Sequence, residues 1–143
     1  MRIEVEKKCS CTPDDIFSAI RDGNDLPKYW HGMREIKPIG GEKFEVRFQF
    51  PGKSIMEYSC DPQKKQCEER YISGSFKGLK VTSVRNDGDG SIIQSHWDIN
   101  LSPVLRIMGR RIMDHFREGT EHALDRMCAS VISRNTNKGG DRD

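Results

Sequence analysis

No apolar run in this 143-residue chain approaches the length of a bilayer-spanning helix, which excludes an integral membrane segment. The opening MRIEVEKKCSC lacks the apolar centre of a secretory signal, so the expected setting is the cytoplasm. Neither sign of charge is in marked excess: the formal net charge is +2, with acids and bases interspersed. Without a basic stripe to track a phosphate backbone, nucleic acid is not an expected partner. Apolar residues are sparse, 34% against 32% charged, so the core must be assembled from alternating strands and one-faced helices. The signature of a metal centre is missing too. Cys9 and Cys11 stand two apart on an expected strand, closer than the spacing of zinc knuckles, and neither a metal nor another cofactor is expected. Five cysteines in a reducing setting read as buried thiols, and the odd count leaves at least one unpaired.

What is present is periodicity. The length suits one domain, residues 1–135, followed by a polar, glycine-rich tail at 136–143 that reads as disordered. Arg2 to Cys11 alternates as a half-buried strand. TPDD then supplies a helix cap at Thr12 and Pro13 in the first turn, so a short helix through Ile16, Phe17 and Ile20 follows and ends near Gly23. NDLPKYW starts a second short helix with Asp25 as cap. Further strands are expected from Arg34 to Ile39, across Phe44 to Phe50, at Ser54 to Asp61 and Gln66 to Ser73 around PQKK, and at Gly78 to Asn86 and Ser91 to Leu101 around DGDG. The PQKK turn sets Cys60 opposite Cys67, and both are expected as reduced neighbours. From Ser102, with Pro103 at the first helical position, one long helix is expected to reach Asn135. Its apolar stripe holds Leu105, Met108, Ile112, Phe116, Gly119, Ala123 and Met127.

The order strand, two short helices, antiparallel meander and long terminal helix resembles the helix-grip fold of the START-like, or SRPBCC, superfamily. The similarity runs from Ile3 to about Arg134. It is carried by TPDDIFSAIRDGNDLPKYW, by ERYISGSFKG in mid-sheet and by DGDGSIIQSHWDINL before the helix. Polyketide cyclases, lipid-transfer domains, coenzyme Q-binding proteins and pollen-allergen relatives share that fold. The resemblance implies an α+β architecture in which a curved antiparallel sheet of about seven strands wraps the terminal helix and leaves a cavity between them. Gly119 and Ala123 in mid-stripe agree with space beside the helix, since glycine inside a helix costs about 0.5–1 kcal/mol relative to alanine. Close approach of a bulky sheet residue such as Trp97 would explain Gly119 equally well. The expected wall is Phe44, Val46, Phe48, Met56, Tyr58, Trp97 and Ile99 from the sheet and Met108, Ile112 and Phe116 from the helix. Trp30 and His31 fall at the rim.

No nucleophile, base and orienting group can be assembled from the sequence. Polar groups that an apolar cavity could tune are Tyr58, Tyr71 and His115, with Arg126 on the same side of the helix and His96 pointing out of the sheet. The leading expectation is a binder or carrier of a small hydrophobic molecule, such as a lipid, a quinone or a polyketide-like compound. An alternative is a cyclase or aromatase using general acid-base help. A third is an interaction module like the chaperone-activating branch of the fold. That module needs an apolar outer sheet face, which Glu45, Arg47, Gln49, Lys80 and Thr82 are expected to make polar.

Overall fold

The computed structural model describes residues 1–140, with side chains through 137. Its elements follow the chain as β1 (Arg2–Cys9), α1 (Pro13–Ile20), a 3-10 turn (Gly23–Asp25), α2 (Leu26–Tyr29), β2 (Met33–Gly40), β3 (Lys43–Phe48), β4 (Lys53–Asp61), β5 (Gln66–Ser73), β6 (Phe76–Asp87), β7 (Gly90–Leu101), α3 (Pro103–Arg106) and α4 (Arg110–Gly140). The seven strands form one antiparallel sheet in the order β1-β7-β6-β5-β4-β3-β2. Short hairpins make each strand from β2 to β6 pair with its successor, while β1 closes the far edge on β7. Helix α4 packs across the sheet, and the core lies between them.

Local chemistry sets the helix starts. Thr12 accepts a hydrogen bond from the Asp15 amide at 3.3 Å, and Ser102 accepts one from the Leu105 amide at 3.4 Å. Asp25 makes no such cap. Asp22 caps the 3-10 turn instead, through the Asn24 amide at 2.9 Å. Gly23 does not end a helix by a left-handed turn; it is buried where a Cβ would stand 2.9 Å from the ring of Phe44.

The long terminal helix is not continuous. Backbone after Arg106 turns through Ile107 and Met108 to Gly109, whose φ of +57° is open to glycine at little cost, and α4 starts afresh at Arg110. This break rotates Met108 out of the stripe: it is 49% exposed, not part of the wall. At the other end α4 continues to Gly140, past the expected stop at Asn135, so the disordered tail expected at 136–143 does not begin there; 141–143 lie outside the described residues.

The reduced-thiol expectation is also corrected. Cys60 does face Cys67 across the β4–β5 hairpin, but the two are bonded as a disulfide. Cys9 on β1 is bonded to Cys128 on α4, a link between residues 119 apart. Cys11 alone is free, and it is buried.

A candidate aromatic cavity between the sheet and helix α4

Alternation along the central strands decides what the inside of the grip contains. On β6 the inward set is Phe76, Lys80, Thr82 and Val84, and on β7 it is Ser91, Ile93, Ser95, Trp97 and Ile99. Lys80 and Thr82 therefore point into the molecule, against the expectation that they belong to the polar outer face. Leu79 and Val81 take that outer side and are partly exposed.

An inward lysine must find compensation for lost hydration. Lys80 Nζ lies 2.5 Å from Glu69 Oε2, and both side chains are almost wholly buried. The same Nζ lies 3.2 Å from the ring centroid of Trp30 and 4.9 Å from that of Trp97, so two indole faces serve the ammonium as well. Tyr71 donates to the other oxygen of Glu69 at 2.6 Å. Burial lowers the Lys80 ammonium from its ordinary 10.5 to about 8, with Glu69 opposing the shift. Burial, and then the Glu69 charge, raise the Tyr71 phenol well above its usual value. Tyr58 is raised by the same causes in the same order, and its hydroxyl donates to the Ile20 carbonyl at the end of α1.

Above this buried group the space opens. A cavity of about 260 Å³ is lined by Trp30, His31, Gly32 and Met33 after α2, by Phe48, Gln49 and Phe50 at the end of β3, by Trp97, and by His115, Phe116, Glu118, Gly119, His122 and Arg126 of α4. The aromatic side chains interlock, with Trp97 and Phe116 centroids 5.0 Å apart at a steep angle and Trp30 edge-on to Trp97 at 5.8 Å. Trp97 is fixed, because its Nε1 donates to Thr120 Oγ1 at 2.9 Å. Trp30 is not held in that way: its Nε1 is buried with no partner among the described residues. A Cβ at Gly119 would meet nothing within 4 Å, so that glycine borders open space and is not there to admit Trp97.

The rim is polar. Gln49 and His115 are hydrogen-bonded side chain to side chain across the mouth, which places Gln49 at the cavity and not on the outer face. Arg126 Nη1 donates to the Tyr29 carbonyl at 2.9 Å and ties α4 to α2.

Of the residues expected to line a cavity, Trp30, Phe48, Trp97, Phe116 and Gly119 do so, and His115 joins them. Phe44, Val46, Met56, Tyr58, Ile99, Ile112 and Ala123 are buried in the core instead, and Tyr71 is buried with Glu69. His96 is exposed on the outer face. Sequence reasoning missed Phe50, Glu118 and His122 at the cavity and the Glu69–Lys80 pair beneath it. Among the described residues no cluster of metal-ligating side chains occurs, and no helix is long and apolar enough to cross a membrane.

Neither a protein-family model nor a curated protein sequence matches the chain. Solved structures do match in fold. Norcoclaurine synthase from Thalictrum flavum, in complex with dopamine and hydroxybenzaldehyde, is 17% identical with a TM-score of 0.71, over 93% of this chain and 87% of that one. A START superfamily protein from Mycobacterium smegmatis is 15% identical with a TM-score of 0.74, over 91% and 98%. Ara h 8.0201 is 13% identical with a TM-score of 0.68, over 93% and 98%. The chain has the START-like helix-grip fold.

Proposed function

We propose that the protein binds and carries a small hydrophobic molecule, of the lipid, quinone or polyketide-like kind, in the cavity between the sheet and α4. The observation that carries this reading is the aromatic wall of Trp30, Phe48, Phe50, Trp97 and Phe116 around open space beside Gly119. An apolar wall with a polar rim suits a compact guest whose polar end stays at the mouth. The complex of norcoclaurine synthase with two small aromatic compounds agrees with such use of the fold. Native mass spectrometry of freshly purified protein tests the proposal. An organic guest, or a melting temperature raised by members of a lipid and aromatic library, is the expected result. A bare protein whose melting temperature ignores the whole library would overturn it.

One observation favours a catalytic second reading: Lys80, Glu69 and Tyr71 form a hydrogen-bonded, titratable group directly behind Trp30. Such a group could move protons on a cyclising substrate once Trp30 gave way. Turnover unchanged by Tyr71→Phe and Lys80→Met would remove that reading. As to compartment, two disulfides fit an oxidising setting better than the cytoplasm the opening residues suggested.

A further inference from the structure

The α3–α4 corner carries the three most exposed large apolar side chains among the described residues, with Met113 nearby on α4. Ile107 is 86% exposed, Val104 74%, Met108 49% and Met113 37%. Val104, Ile107 and Met108 lie within five residues of one another at this corner, and all three are exposed. Leu105 is the residue of this turn that is buried, and it anchors the corner to the core. Large apolar side chains exposed together in this way mark a contact surface.

Charge says what that surface fits. From Pro103 to Arg117 the chain has four arginines and one aspartate, whereas the whole chain nets only +2. This corner is therefore locally positive, four arginines against one aspartate. Arg106, Arg110 and Arg111 are exposed, and none of the described ion pairs includes them. Arg106 Nε donates to the Leu101 carbonyl at 3.0 Å, which fixes its stem beside the apolar group. Exposed apolar side chains flanked in the chain by arginines outside the described ion pairs match the interface of an anionic lipid layer, where the first enter the acyl boundary and the second meet lipid phosphates.

From this juxtaposition we infer that the α3–α4 corner docks the protein onto anionic membrane surfaces, with Ile107 and Met108 as the inserted pair and Arg106, Arg110 and Arg111 as the headgroup contacts. His115 and Phe116 at the cavity stand two to three residues past Met113 on the same helix, so docking there would bring the mouth close to the lipid. The inference does not depend on what the cavity holds.

Co-sedimentation of the intact protein with vesicles tests it. Vesicles of phosphatidylcholine with about a third phosphatidylserine should retain the protein at least about tenfold better than phosphatidylcholine alone. The preference should shrink as salt screens the arginines. Ile107→Glu with Met108→Glu should abolish retention while circular dichroism and melting temperature stay unchanged, because neither side chain packs in the core. Equal retention by both vesicle types, or retention unaffected by the double substitution, would overturn the proposal. So would a dimer in sedimentation analysis that the same substitutions dissociate, since the corner would then belong to a second copy.

Discussion

The two halves of the space under α4 are built differently from the same elements. Toward the end of α2 and the start of α4, Trp30, Phe48, Phe50 and Phe116 surround an opening that Gly119 leaves unfilled. Farther along, Ala123, Leu124 and Met127 are fully buried, and the Cys9–Cys128 disulfide holds that part of α4 to β1. One end of the grip is therefore clamped and the other held off. Small residues alone do not make a cavity: Ala123 lies where the helix is drawn in, and Gly119 where aromatic side chains prop it out.

Breaking the clamp should have the largest effect. Replacing Cys9 and Cys128 by serine removes a loop closure across 119 residues, and a loss of about 4 kcal/mol is expected in urea unfolding. Thiol titration of the unfolded, unreduced chain should find one free thiol, Cys11, where a reduced protein would give five. Next comes the polar group at the boundary. Glu69→Ala strands the buried Lys80 ammonium and should cost about 3 kcal/mol, whereas Glu69→Leu with Lys80→Met should cost far less.

The same group gives a pH dependence. The folded state releases the Lys80 proton near pH 8 and the unfolded chain near 10.5. Between those values the unfolded chain binds more protons, so stability should rise with pH across that window. Above about pH 10 the raised phenols of Tyr58 and Tyr71 work the other way, because the unfolded chain loses those protons first. Urea midpoints should climb from about pH 8 and fall above about pH 10, and Lys80→Met should flatten the climb. The smallest effect belongs to Gly119→Ala, which should stabilise α4 by up to about 1 kcal/mol, its Cβ meeting only open space.

The strands, the meander from β2 to β7 and the facing of Cys60 and Cys67 were legible because alternation and turn residues fix them locally, whereas the seat of β1 beside β7 is a long-range contact that no local signal carries. The break at Gly109 was not, since a lone glycine inside an apolar stripe reads as tolerated until the backbone needs a positive φ. Lys80 was readable but misread. Counting back from Asp87 opposite Gly90 across the DGDG hairpin puts Lys80 opposite Trp97, and partners across a ladder share a face. The same count on β5 puts Glu69 opposite Lys80. Treating lysine as an outward residue by type hid this. Which aromatic residues border space and which fill the core was not in the pattern at all, because Phe44 and Phe48 occupy equivalent inward positions of one strand. Only packing separates them.

Tryptophan emission during titration with a compact quinone such as menadione tests the cavity most directly, because both tryptophans of the chain, Trp30 and Trp97, stand in its wall. A saturable change that disappears in Gly119→Leu, with melting temperature preserved, is the expected result. Quenching that rises without saturation and is the same in both proteins would mean that no guest enters, and would contradict the central claim.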